Sequence, residues 1–262
     1  MNIIKKVNIL SSGVKIEVIC KIKEYSEYIE YLAKSNKTLL NINNKKEIRI
    51  VIDYNNTIIE CEGERNTIFG FLNKTDIYYI IYNIIQNNLS KNELLIHSTV
   101  ISNNNITILV IGNFYSGKTE LSKIFQQHGF KIISTDQTSI LIDDNKNYLT
   151  GITTISKTRN GKYIEENLKY NKKISINLIL QLSSFNTEGK NILELTNKNH
   201  KIKNMFKYIT WSADIPLFTD NTILEVDRLK ILRLLKNIDL PFYNVSGNYE
   251  DIYIQTMKII ND

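Results

Sequence analysis

Eight consecutive residues, Gly112-Asn113-Phe114-Tyr115-Ser116-Gly117-Lys118-Thr119, match the pattern G-x-x-x-x-G-K-[ST], and a lone acid, Asp136, follows soon after. A loop of this kind wraps phosphates. Its backbone N–H groups point inward, its lysine neutralises β- and γ-phosphate charge, and its Ser/Thr hydroxyl ligates Mg2+. On that chemistry Gly112 through Glu120 form the nucleotide-binding set, Lys118 meets the phosphates, and Thr119 and Asp136 hold the metal. Asp136 is either the metal's second anchor or the base for an acceptor hydroxyl, since transfer needs both functions. Glu120 falls in the first helical turn, where an acid also suits the dipole. The expected ligands are ATP and Mg2+.

Three further groups are candidates. His97 lies in the apolar run Leu94–Ile101, where a histidine is either a core residue or one facing the phosphates. Arg159, in Lys157-Thr158-Arg159-Asn160-Gly161-Lys162, carries a planar fork that would clamp phosphate or acceptor from a loop. Glu165 and Glu166 are weaker metal-ligand candidates on the same loop. Asn73-Lys74-Thr75-Asp76 matches the guanine-reading N-K-x-D pattern, but it precedes the glycine loop, so a turn and helix cap account for it.

The elements that must position these residues can be read from periodicity. Ile106–Ile111 is a β-branched buried strand running into Gly112, and Leu121, Ile124, Phe125 and His128 recur at helical spacing after Lys118. A helix N-terminus therefore faces the phosphates. Leu94–Ile101 should pair antiparallel with the Ile106 strand across Asn103-Asn104-Asn105. Gly129–Asp136 should be a strand ending in the acid, followed by a strand over Ser139–Asp143. Further strands are expected at Val14–Ile22, Glu47–Asp53, Thr57–Cys61, Ile174–Leu182, Asn191–Leu195 and Leu240–Val245. Helices are expected at Tyr25–Ala33, at Asp76–Leu89 capped by Thr75, and at Lys201–Trp211. Two more are expected at Thr222–Ile238 with a Thr222/Glu225 capping box and at Tyr249–Ile260. Thr154–Lys173 reads as a flexible loop.

Composition narrows the function. The 262 residues suffice for a sizeable core, and with only 2 Pro and 10 Gly any domain boundary is tight. The +6 charge is scattered lysine without a long run, which argues for solvated faces and against a nucleic-acid footprint. Cys20 and Cys61 make no C-x-x-C, and no zinc site can be assembled from the three His. The N-terminus lacks the apolar core of a signal peptide, and no window of ~18 apolar residues occurs. A soluble, cytoplasmic protein without a membrane partner is the expectation.

The residues between His97 and Asp136 resemble the HPr kinase/phosphorylase catalytic domain and, more distantly, the ATP-dependent phosphoenolpyruvate carboxykinases. The resemblance rests on Ile96-His97-Ser98-Thr99, Tyr115-Ser116-Gly117-Lys118-Thr119-Glu120-Leu121 and Gly129-Phe130-Lys131-Ile132-Ile133-Ser134-Thr135-Asp136. Leu240-Pro241-Phe242-Tyr243-Asn244-Val245 is similar to the tail of HPr kinase-like proteins encoded beside modified-peptide genes. The resemblance implies an α/β fold with a mixed sheet and flanking helices over residues 91–262, preceded by a small α+β region over 1–90. It implies a role for His97 near the phosphates and a homo-oligomer. That family closes its strand with two acids, one for the acceptor's proton and one for the metal, and the first of them is Thr135 here. Its arginine-bearing signature is also not visible. The expectation is therefore an ATP- and Mg2+-dependent kinase of a hydroxyl, on a serine of a peptide or protein. A non-catalytic ATP-binding regulatory module and a small-molecule kinase are the alternatives.

Overall fold

Alternating burial builds the first sheet. In the computed structural model, which describes residues 3–39, 46–70, 72–113, 116–143, 146–157, 163–165, 173–183, 191–209 and 226–261, β1 (Lys5–Ser11) turns at Ser12-Gly13 into β2 (Val14–Cys20). Ile16 and Val18 are buried, while Lys15 and Glu17 stay on the outer face, where Lys15 pairs with Glu47 at 2.9 Å. After α1 (Ser26–Ser35) and β3 (Asn36–Thr38), β4 (Lys46–Ile52) returns parallel to β2. Strands β5 (Asn56–Cys61) and β6 (Glu64–Phe69) complete the order β1-β2-β4-β5-β6. Helix α2 (Lys74–Asn88) buries Ile77, Ile80, Ile81, Ile84 and Ile85 in the core this sheet shares with α1. Each such side chain contributes about 1.5–3 kcal/mol of transfer free energy.

The second sheet carries the glycine loop. Strand β7 (Glu93–Ser102) is buried along its whole length, as is β8 (Thr107–Gly112), and the two pair antiparallel as expected. Helix α3 (Lys118–Gln127) follows the loop, and β9 (Lys131–Ser134) and β10 (Gln137–Ile142) run end to end along the other edge of β7. Strand β11 (Asn147–Thr153) pairs with β10, and β12 (Ile155–Lys157) forms a short hairpin with β13 (Tyr163–Glu165). Strand β14 (Leu178–Leu182) lies parallel to β8. Then come β15 (Asn191–Glu194), α4 (Lys198–Ile209), α5 (Arg228–Lys236), β16 (Phe242–Ser246) and α6 (Tyr249–Asn261). The sheet order is β15-β16-β14-β8-β7-β10-β11-β3. Leu121 and Phe125 of α3 and Ile252 of α6 share one core with Val110 and Leu180. Met205 of α4 and Ile231 and Leu234 of α5 share another with Leu109 and Ile179. The architecture is thus a mixed multistranded sheet with flanking helices.

Edge strand β3 belongs to the N-terminal 90 residues yet pairs with β11, and Thr154 N–H donates to the Ser35 carbonyl at 2.8 Å. No helix among the described residues is long and apolar enough to cross a membrane.

Several local expectations are corrected. Asn73, not Thr75, caps α2: its Oδ1 accepts from Thr75 N and Asp76 N, and Asp76 Oδ2 accepts from Asn73 N. A cap must stand outside the helix in extended backbone, as Asn73 does at φ −81° and ψ 174°, whereas Thr75 is already helical. Helix α5 starts at Arg228, with Asp227 accepting from Lys230 N; residues 222–225, the expected capping box, lie outside the described residues. The stretch read as one loop from Thr154 holds the β12–β13 hairpin. The strand expected to end in Asp136 stops at Ser134, and Asp136 occupies a break before β10 resumes.

Candidate active site

Two glycines shape the loop between β8 and α3. Gly117 heads α3 at φ +92°, a left-handed conformation that side chains disfavour, and a Cβ there would collide with the Tyr249 hydroxyl at the start of α6. At Gly112 a Cβ would sit 3.2 Å from both the Cβ and the carbonyl oxygen of Leu182 on β14. The N-cap of α3 is Gly117, so among the described residues the amides that open the helix, at the positive end of its dipole, receive no side-chain cap. Ser116 Oγ is buried in the same loop without a hydrogen-bond partner among the described residues.

Lys118 is 8% exposed and folds back over its own loop. Its Nζ donates to the carbonyl oxygens of Gly112 at 2.8 Å and Asn113 at 2.9 Å. Burial lowers its pKa to about 8, against the opposing pull of Asp136. Thr119 and Glu120 follow in the first turn of α3, both half-buried. Burial and then the Glu120 charge raise the pKa of Tyr249.

Asp136 gathers the rest of the site. The break between β9 and β10 is stitched to β7, with Ser98 N–H donating to the Asp136 carbonyl at 2.8 Å. His97 stands opposite Gln137 in register, and its Nδ1 lies 3.1 Å from Asp136 Oδ1, the two side chains being 6% and 28% exposed. Tyr78 Oη, from α2, donates to Asp136 Oδ2 at 2.5 Å and accepts from Gln137 Nε2 at 3.1 Å. Burial pushes the Asp136 carboxyl up, but His97, Tyr78 and the charge of Lys118 outweigh it and hold its pKa below the usual carboxylate range. Burial and the Asp136 charge raise the pKa of Tyr78 well above that of a free phenol, so it stays a proton donor.

Of the residues singled out from sequence, His97, Lys118 and Asp136 form one electrostatic group. Phe114, Tyr115, Arg159 and Glu166 lie outside the described residues; Glu165 ends β13, and its side chain is likewise not described. Thr135 holds a structural post: its hydroxyl donates to the Thr153 carbonyl at 3.1 Å on β11. Sequence reasoning missed Tyr78, Gln137 and Tyr249, which reach the site only through tertiary contact. Among the described residues no group of three or more His, Cys, Asp or Glu could hold a metal. A magnesium ion here would need phosphate oxygens beside Thr119 and Asp136. That fits a carboxylate whose two oxygens keep lone pairs beyond those given to His97 and Tyr78.

No protein-family profile and no curated protein matches this chain. Among solved structures it is similar to the Hpr(Ser) kinase/phosphatase from Coxiella burnetii. The TM-score is 0.39 at 13% identity, over 64% of this chain and 95% of that one.

Proposed function

We propose that the chain is an ATP- and Mg2+-dependent kinase that transfers the γ-phosphate to a hydroxyl, that of a serine in a peptide or protein. In this reading residues 91–262 form the nucleotide-binding domain and residues 1–90 the α+β region beside it. The observation that carries it is the junction of Lys118 with Asp136 and His97, beside an uncapped helix headed by a left-handed glycine. When bound, ATP with Mg2+ supplies the phosphoryl group and the charge neutralisation that a loose transition state needs.

The residues divide the remaining work. The opening amides of α3 and the Lys118 ammonium bind the β- and γ-phosphates, Lys118 exchanging the Gly112 and Asn113 carbonyls for phosphate oxygens. Thr119 and Asp136 would hold the metal. His97, held by Asp136 Oδ1, takes the acceptor's proton as the oxygen–phosphorus bond forms and the bond to ADP breaks. Asp136 stabilises the imidazolium that results. Arg159 is the proposed clamp for phosphate or acceptor.

A non-catalytic ATP-binding module is favoured by one observation: Thr135 stands where a second acid would act, with its hydroxyl given to Thr153. Labelled ATP with Mg2+ and a panel of serine peptides and small-molecule alcohols separates the readings. Transfer that vanishes in Asp136→Asn and in His97→Asn supports the kinase, and the acceptor labelled tells peptide from small molecule. Tight ATP binding with no acceptor labelled supports the module.

A further inference from the structure

Helix α2 reaches Asp136 from outside the strands and the loop that carry the motif. The direction of the contact is fixed by proton counting. A phenol has one proton; Gln137 Nε2 already donates to Tyr78 Oη at 3.1 Å, so the Tyr78 proton is left for Asp136 Oδ2 at 2.5 Å. That length belongs to the charge-assisted O–H···O⁻ class, the stronger kind. The ring cannot swing easily, because Tyr82 packs on it at 4.5 Å between centroids and Tyr79 meets it edge-on at 5.6 Å. Asn36 Nδ2 in turn holds the Tyr82 hydroxyl at 3.2 Å.

Asp136 is thereby fixed at both oxygens, Oδ1 by His97 and Oδ2 by Tyr78. Rotation of the carboxylate would break both contacts at once, so its remaining lone pairs have set directions. We propose that Tyr78 is a positioning residue that fixes the plane of the Asp136 carboxylate and so aims it at the metal–phosphate site. Its effect on magnesium rests on the kinase reading; its hold on Asp136 does not.

The test has two arms on the full chain. In the first, urea unfolding of Tyr78→Phe, Asp136→Asn and the double variant forms a cycle that needs no nucleotide. The double variant should change the unfolding constant less than the product of the singles, by about tenfold. In the second, calorimetric titration with the non-hydrolysable analogue AMP-PNP is run with Mg2+ and with EDTA. Tyr78→Phe should leave the EDTA affinity within about twofold and cut the gain given by Mg2+ about tenfold, while Tyr82→Phe leaves that gain intact. A purely structural role would not separate these conditions. The proposal is overturned if the single variants multiply independently, or if Tyr78→Phe keeps the full Mg2+ gain. A wild type that binds no AMP-PNP sinks the kinase reading alone, and the unfolding cycle then decides whether Tyr78 holds Asp136.

Discussion

Lys118 Nζ donates to the carbonyl oxygen of Gly112 at 2.8 Å, so the lysine closes the loop from which it springs. The ammonium is buried over neutral carbonyls, and its pKa falls to about 8. In the proposed kinase reading, an arriving triphosphate draws the charged form away from Gly112 and Asn113, and once there it keeps the proton in place. Affinity for AMP-PNP without metal should therefore be flat below pH 8 and fall about tenfold for each unit above it. Calorimetry from pH 7 to 9.5 reads this directly, and a flat profile would remove Lys118 from phosphate binding.

The same shift has a consequence for stability, with opposite sign. The folded pKa of about 8 lies below the 10.5 of an exposed lysine, so unfolding takes up a proton between those values. The cost of burying the charge is full below pH 8 and is relieved as pH rises toward 10.5. Wild type should therefore gain stability relative to Lys118→Met between pH 8 and 10, by urea unfolding. A constant difference across that range would refute the shift.

Gly117 is constrained twice, by φ +92° and by the Tyr249 hydroxyl. Gly117→Ala should destabilise by about 1–3 kcal/mol for the backbone conformation, plus the cost of displacing Tyr249. Placed in a Tyr249→Ala background, the same substitution loses the collision and keeps only the backbone cost. Thermal melts of the four proteins should show the alanine costing less when Tyr249 is gone. Equal costs would mean that Tyr249 yields freely.

How far the site was legible follows from how local its chemistry is. The glycine loop can be read because its motif is one contiguous segment, and β7 and β8 because the apolar runs Leu94–Ile96 and Ile108–Ile111 mark strands buried on both faces. The break near Asp136 is legible but misplaced: the sequence reads as strands over Gly129–Asp136 and Ser139–Asp143, whereas the first stops at Ser134 and the second opens at Gln137, both along one edge of β7. Tyr78 sits among the isoleucines of α2 and reads as core, since its partner is 58 residues away. Strand β3 has three residues and β11 is interrupted by Gly151, so neither shows a clear period. Thr135 reads as a lost acid, and only the β11 contact reveals its hydrogen bond to Thr153.

Because Tyr78 rides on α2, the cap of that helix should be felt at Asp136. Asn73 satisfies the amides of Thr75 and Asp76 at 2.8 and 3.0 Å, and Asp76 closes the box by accepting from Asn73 N at 2.9 Å. Asn73→Ala removes both acceptor contacts and should cost about 1 kcal/mol, while Asn73→Ser, which can still cap, should cost a few tenths. Frayed at its first turn, α2 holds Tyr78 one turn further on less firmly. Asn73→Ala should then raise hydrogen exchange at Ile77–Tyr79, while exchange in β8, anchored in the other sheet, stays unchanged. If the alanine and serine variants unfold at the same urea concentration, the side-chain cap contributes nothing and α2 is held by its buried isoleucines alone.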